Sequence, residues 1–289
     1  MNWIYNKKVL LTGASSGIGK ALATLLIKKY NCSVIGVNRS QDKLEEFKKE
    51  LGEYGDKFSY YPMDASKLEN WQQLYKTLQD KNEQIDVLIN NAGMMHPFMS
   101  FEKIEIEQVH KVMNINFYSA IYSVKTFLPM LNQSKTPAII NISSASALAN
   151  VPGVSVYGAS KSALRAFSET ISYEFRKHIY VCTVMPGFVK TNLFYSKDNA
   201  KNIVDDNDMG LINKFCMKVD KMAKKTVRAI KRKRKRVVLG LDGKFINFMH
   251  KLMPVSTTKL MGGVFRASKR KTFDQIFDVN FETNNEEKK

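Results

Sequence analysis

Seven short runs of β-branched and aliphatic residues recur along the first 240 positions, separated by longer stretches of amphipathic pattern. The runs are Lys8 to Thr12, Ser33 to Val37, Phe58 to Tyr61, Ile85 to Ile89, Ala138 to Ile142, Tyr180 to Val184 and Arg236 to Leu239. Several are apolar without interruption, as in Val87-Leu88-Ile89 and Ile139-Ile140, which is the pattern of parallel strands covered on both faces. With helical crossovers between them, they predict an α/β fold, a doubly wound parallel sheet of about seven strands. This domain occupies residues 1–240. Beyond it, Phe245, Ile246, Phe248, Met249, Leu252 and Met253 fall at helical spacing, with Lys244, Asn247, His250 and Lys251 opposite. One amphipathic helix, stopped by Pro254, is expected in a C-terminal extension, 241–289, whose tail from Thr283 frays.

Composition narrows the class. A chain of 289 residues with 44% hydrophobic and 25% charged content can bury one substantial core. The three cysteines, Cys32, Cys182 and Cys216, are far apart and lack metal-ligand spacing, which points to a reducing compartment rather than a disulfide framework. His96, His110, His178 and His250 have no partner at helical spacing, so they are read as surface or packing residues and no metal is expected. The first strand begins almost at once, and no apolar run approaches the ~20 residues a spanning helix needs. The expectation is a cytoplasmic protein, at most peripheral on a membrane. Of the net charge of +18, +12 belongs to residues 201–289. The densest part, Lys231 to Arg236, reads as a solvated helix end or as a localisation or nucleic-acid patch. It has no interleaved aromatics to stack on bases, so nucleic acid is not the expected partner.

The chemistry enters through three local patterns. After the first strand comes Gly13-Ala14-Ser15-Ser16-Gly17-Ile18-Gly19, leading into a helical stretch. Glycines there let the backbone turn tightly and approach a pyrophosphate, whose charge meets the positive end of the following helix; an ordinary tight turn is the alternative. At the end of the second strand, where an acidic side chain would hydrogen-bond a free ribose 2′-hydroxyl, the chain has Asn38-Arg39-Ser40. A guanidinium and a hydroxyl suit a 2′-phosphate, which favours NADP (NADPH) over NAD, unless Arg39 is only a surface cation. Tyr157 and Lys161, four apart, share a helical face, the spacing at which an ammonium can lower a phenol's pKa.

These patterns occur together with Asn90-Asn91-Ala92-Gly93, Asn116, Ser143-Ser144 and Pro186-Gly187. In that combination the chain resembles the short-chain dehydrogenase/reductase family over about residues 7 to 240. The resemblance implies a single-domain Rossmann-like sheet with substrate above the strands' carboxyl ends. It gives Tyr157 the part of general acid in carbonyl reduction, with Lys161 favouring the phenolate and hydrogen-bonding the nicotinamide ribose. Ser144, 13 residues before Tyr157, holds the substrate oxygen, and Ser143 competes for that role. Asn116 matches a helix-bending asparagine that positions a proton-relaying water, or it is a buried amide satisfying backbone groups. Asp64, with Ala65 beside it, matches the acid that contacts adenine, or it caps the next helix. Asn90 to Gly93 line the adenosine side and brace the sheet. Pro186, Gly187, Val189 and Thr191 resemble the segment that holds the nicotinamide carboxamide.

Positions bordering the substrate in that family are apolar here: Met94, Met95 and Phe98; Val151 to Val154; Phe188; and Leu193 to Tyr195. They point to an apolar ketone or aldehyde, lipid- or steroid-like, unless the loops pack on themselves, and the cofactor preference makes the expected protein its NADPH-dependent reductase. The alternatives are NAD-dependent oxidation of a hydroxysteroid or similar alcohol, and a nucleotide-sensing interaction protein without turnover. The resemblance also implies a homodimer or homotetramer. The amphipathic extension packs on the protein or a partner subunit, or lies on an anionic membrane surface.

Overall fold

The computed structural model describes residues 3–191, 216–268 and 270–277; Leu193 to Tyr195 and the tail from Thr283 lie outside the described residues. Its centre is a seven-stranded, all-parallel sheet in the order β3-β2-β1-β4-β5-β6-β7. The strands are β1 (Lys8–Thr12), β2 (Ser33–Asn38), β3 (Phe58–Pro62), β4 (Val87–Asn90), β5 (Ala138–Ile142), β6 (Tyr180–Pro186) and β7 (Arg236–Leu239). Helices α1 (Gly17–Tyr30), α2 (Gln41–Glu50), α3 (Leu68–Asp80), α4 (Ile106–Met113), α5 (Ser119–Gln133), α6 (Ser155–Glu174) and α7 (Val219–Lys231) form the crossovers.

The period-2 alternation of a strand decides which layer each side chain meets. In β1, Val9 and Leu11 join the core under α1, α2 and α7, whereas Leu10 joins Trp71, Leu74 and Phe127 of α3 and α5 on the other face. Both layers exclude water, which explains the uninterrupted apolar runs. The order reverses between β1 and β4, and a crevice opens above the carboxyl ends at that switch point.

The end of the chain departs from the single helix expected. Helix α8 (Leu241–Leu252) starts four residues before Phe245, and Pro254 opens a second helix, α9 (Pro254–Ala267), instead of ending helical structure. Proline at the first helical position costs no hydrogen bond, because that N–H has no partner within the helix. A short α10 (Lys271–Phe277) follows. The apolar positions of α8 do not form one packed face: Ile246 turns toward the cleft, whereas Phe245, Phe248 and Leu252 are exposed. The basic run Lys231 to Arg236 is exposed at the amino end of β7, with Lys231 over the Tyr30 ring and Lys233 over Trp3. It therefore lies at the opposite end of that strand from α8.

Candidate active site

One cavity of about 500 Å³ lies over the carboxyl ends of β1, β4, β5 and β6. Its floor is the turn from β1 into α1. Gly13 has φ of +67°, and a Cβ there would come within 2.8 Å of the Asn91 amide nitrogen. A Cβ on Gly19 would overlap the Gly13 carbonyl oxygen, so only glycine lets α1 start this close to the strand. Thr12 fixes the other side: its Oγ1 accepts from the backbone N–H groups of Asn91 (2.9 Å) and Ala92 (2.9 Å), and Asn91 Nδ2 donates to Thr12 O (3.0 Å). Gly13, Ser16, Gly17, Ile18, Asn91, Ala92 and Gly93 thus line a cradle with the amino end of α1 pointing into it. These residues fit a dinucleotide pyrophosphate.

Helix α6 carries the chemical pair. Its buried stripe, Tyr157, Lys161, Leu164, Ser168 and Ile171, follows the 3.6-residue repeat, so the same periodicity that seats α6 on the sheet delivers Tyr157 and Lys161 to the cavity. Lys161 Nζ donates to the Ile142 carbonyl oxygen at 3.0 Å. The two serines separate. Ser143 Oγ donates to the Lys161 carbonyl oxygen at 2.8 Å, which occupies it within the scaffold. Ser144 Oγ accepts from Ser146 N–H (3.2 Å) and hydrogen-bonds the Tyr157 hydroxyl.

Burial governs both ionisable groups. It raises the Tyr157 phenol above its ordinary pKa of 10.0, with the hydrogen bond from Ser144 pulling the other way. It pushes the Lys161 ammonium down from 10.5 to about 8. The expected lowering of the phenol by the amine is therefore not what the pair displays here: loss of hydration sets the phenol, and Lys161 spends its hydrogen bond on Ile142. A depressed lysine pKa makes the unfolded chain hold more protons than the native one between pH 8 and 10.5, so stability rises with pH across that window. Below it the full cost of burying the charge is present, about 3 kcal/mol at ~1.4 kcal/mol per pKa unit. Lys161→Met removes that cost and one hydrogen bond worth ~1 kcal/mol. The variant is expected to be about 2 kcal/mol more stable than wild type in urea at pH 7, with the gap narrowing by pH 9.5. An unchanged gap would mean the lysine is not desolvated.

The remaining expected residues divide between the cavity and its supports. Asn116 lies in a π turn (Asn114–Tyr118) between α4 and α5, and its amide is fully engaged: Nδ2 donates to Met94 O (2.9 Å) and Ser160 Oγ (2.9 Å), and Oδ1 accepts from Met94 N–H (2.8 Å). It holds the Met94 loop in place and does not line the cavity. Asn90 also acts as a brace, bonded to Asn141 (2.8 Å) and Ser123 (2.6 Å). Asp64 accepts from Ser66 N–H (2.9 Å) and Ser66 Oγ (2.7 Å), the capping geometry of a turn; neither it nor Ala65 belongs to the lining. Asn38 bonds Ser15 and receives the Arg39 N–H at 2.7 Å, while Ser40 caps α2 through Lys43 N–H at 3.4 Å. Arg39 lines the cavity and Ser40 does not. Pro186, Gly187, Phe188, Val189 and Thr191 all line it.

Seven lining residues were not anticipated at the site: Lys43, Ile142, Ala145, Ser146, Asp242, Ile246 and Met261. Lys43 lies in the first turn of α2, four positions after Arg39, close enough in the sequence to be noticed once the second strand's end is taken as a phosphate site. Asp242 Oδ2 accepts the Phe188 N–H at 2.5 Å and fills the space beside Gly187, which ties α8 to the loop after β6. The apolar wall is also wider than expected. Met95, Phe98, Val154 and Tyr157 cluster with Ile276 of α10, and the Phe98 ring meets Phe273 edge-on at 5.5 Å. Ser100 N–H donates to the Gln275 carbonyl at 2.9 Å, clamping α10 onto that loop. Nothing in the local pattern of residues 265–277 announces this contact, because its partners lie more than 110 positions away in the chain.

A doubly wound sheet with a glycine loop at its switch point and a Tyr-x-x-x-Lys pair facing the same cleft defines a Rossmann-like dinucleotide-binding protein. A sequence profile described as short chain dehydrogenase matches residues 7–202. The chain belongs to the short-chain dehydrogenase/reductase family. Among its relatives, 11-beta-hydroxysteroid dehydrogenase A of Sesamum indicum is 34% identical over 71% of this chain, and the fatty acyl-CoA reductase of Acinetobacter baylyi is 35% identical over 65%. The matched stretch spans 59% and 64% of those two proteins' own lengths. Among solved structures, an alcohol dehydrogenase from the archaeon Thermococcus sibiricus, complexed with 5-hydroxy-NADP, superposes with a TM-score of 0.69 at 25% identity, covering 81% of this chain and 96% of that one. A short-chain dehydrogenase from Streptomyces avermitilis reaches 0.74 at 24% identity over 91% of this chain and 98% of its own, a likeness of fold alone.

Proposed function

We propose that the protein reduces an apolar ketone or aldehyde to an alcohol with NADPH. The observation that carries this reading is the convergence of Tyr157, Ser144 and Lys161 on one cavity whose far wall is Met95, Phe98, Val151, Val154 and Phe188. NADPH held in the cavity would supply the hydride for the carbonyl carbon. Tyr157 gives its phenolic proton to the carbonyl oxygen, and Ser144 donates a second hydrogen bond to that oxygen as its charge grows. Lys161, protonated below about pH 8, stabilises the phenolate left behind. Asn116 positions the loop at Met94 and through it the apolar wall. Pro186 to Thr191 would hold the carboxamide end, and Asp242 fixes that segment through the Phe188 N–H.

NADPH is favoured over NAD by Arg39 and Lys43, two cations lining the same end of the cavity. The structural neighbour that holds 5-hydroxy-NADP agrees with that choice. The relatives named for hydroxysteroids and fatty acyl groups agree with an apolar substrate. A nucleotide sensor without turnover would have no use for a phenol, a hydroxyl and an amine gathered in a water-poor cleft. The buried thiols of Cys32 and Cys182, pushed up by burial to about 11 and about 12, suit a reducing, cytoplasmic setting. Exposed Ile106, Tyr118 and Tyr173, around α4 to α6, offer apolar surface for a homodimer or homotetramer.

The test is a panel of carbonyls with NADPH in excess. Long-chain aldehydes and polycyclic ketones are expected to exceed aldose sugars in kcat/KM by at least about 100-fold, since each buried methylene is worth ~0.8 kcal/mol. Sugars turned over as fast as the apolar compounds would overturn the reading of the wall.

A further inference from the structure

Helices α8 and α9 have two different faces. Inward, Ile246 of α8 and Met261 of α9 line the cavity. Outward, Leu241, Phe245, Phe248 and Leu252 are 87%, 62%, 58% and 63% exposed, and their spacing of four, three and four puts them in one stripe along α8. Leu260 and Val264, one turn apart on α9, are exposed as well. Scattered exposed apolar residues need no explanation, but a continuous stripe on one helix does.

Charge says what covers it. Residues 241–267 hold four cations, Lys244, Lys251, Lys259 and Arg266, all exposed, and a single carboxylate, Asp242, which is turned to the cavity. Lys244 and Lys251, seven apart, run along one edge of the apolar stripe; on α9, Lys259 and Arg266 are also seven apart, with the Arg266 guanidinium over the Phe277 ring at 4.7 Å. A second copy of this chain docked here would bring like charges together without a carboxylate to answer them. An anionic bilayer answers Lys244 and Lys251 beside the stripe, with Lys259 adding to the field, takes the aromatic and aliphatic stripe into its headgroup boundary, and leaves the long lysine stems lying along the surface. No helix among the described residues is long and apolar enough to cross a membrane, so the arrangement is one of lying on the surface.

We propose that the outer face of α8 and α9 seats the protein on an anionic lipid surface, with the cavity opening one helix diameter, ~10 Å, from the lipid. This rests on reading the cavity as the site of an apolar carbonyl, and it adds the route by which such a compound, poorly soluble in water, reaches Tyr157.

The experiment is flotation of the full chain with vesicles of phosphatidylcholine alone or with about three-tenths phosphatidylserine, carried out without substrate or cofactor. Wild type is expected to float with the anionic vesicles, to remain behind with the neutral ones, and to release as salt rises from about 0.05 to about 0.5 M. Lys244→Glu with Lys251→Glu should lower partition at least about 30-fold, and Phe245→Ser with Phe248→Ser should lower it comparably. Both variants should keep wild-type turnover of a small water-soluble ketone, since none of the four side chains lines the cavity. Wild type that stays behind with anionic vesicles would overturn the proposal. A dimer in sedimentation that dissociates in the Phe245→Ser, Phe248→Ser variant would overturn it in favour of a second copy. Because flotation needs no turnover, failure of the carbonyl-reduction reading would show only in the substrate panel, and failure of docking only here.

Discussion

Replacing Tyr157 with phenylalanine is expected to lower kcat/KM for carbonyl reduction about 10³-fold, while NADPH binds within a factor of about three of wild type. General acids placed in contact with the reacting oxygen contribute ~10²–10⁴-fold, and this one has no neighbour able to replace it. Ser144 can donate a hydrogen bond to the oxygen, yet an aliphatic alcohol is a far poorer proton donor than a phenol. Lys161 is committed to Ile142 O at 3.0 Å. Phenylalanine preserves the ring packed with Met95, Phe98 and Ile276, so the wall and the fold should persist; only the hydroxyl and its bond to Ser144 are lost. Stopped-flow hydride transfer, followed by nicotinamide absorbance, is the suitable readout because it separates chemistry from product release. A variant with more than a tenth of wild-type activity would remove Tyr157 from the role of acid.

The pairing of Tyr157 with Lys161 could be read from the sequence because its geometry is local. Two residues four apart on a helix meet the same surface whatever the rest of the chain does, and Tyr157 and Lys161 are both buried on α6. The strands were legible for a related reason. β1, β5 and β7 begin and end where their apolar runs do, since each run is the part covered by helices. β4 starts two residues later than Ile85, where the Asp86 side chain is drawn into bonds with Lys8 N–H (3.0 Å) and Ser134. β6 runs on to Pro186, which pairs with Leu239 in the ladder although it has no N–H to donate.

What could not be read depends on which distant segments meet. Asn116 and Ser40 are polar residues at expected positions, but their hydrogen bonds go to Met94 and Ser160 in one case and to the first turn of α2 in the other. A sequence names a polar group without naming its partner. The same limit hid Asp242, whose partner Phe188 lies 54 positions earlier. In the C-terminal helices the apolar spacing was visible, but not the division that turns Ile246 inward and Phe245 outward. That division follows from the packing of Gly243 against Gly187 and Ala145, which fixes the rotation of α8 about its axis.

The second large effect concerns the cofactor. Arg39→Ala combined with Lys43→Ala is expected to weaken NADPH binding about 100-fold and to leave NADH binding within about threefold, so that the preference between them collapses. Both side chains line the cavity at the end of β2 where a ribose 2′ substituent would lie, and no carboxylate from that strand opposes a phosphate. Charge-assisted hydrogen bonds are worth ~1.5–3 kcal/mol each when formed, and exposure brings them toward the lower figure. Two of them together give ~3 kcal/mol, about the factor stated. Neither substitution reaches the glycine cradle, where Gly13, Gly17 and the amino end of α1 would meet the pyrophosphate common to both cofactors. The selectivity should also fall as salt rises in wild type and be insensitive to salt in the double variant, because only the former contains the attraction that ions screen. Titration of each cofactor by nicotinamide fluorescence reads both quantities. Equal affinities for NADH and NADPH in wild type would assign the two cations to the surface and leave the choice of cofactor to some other contact.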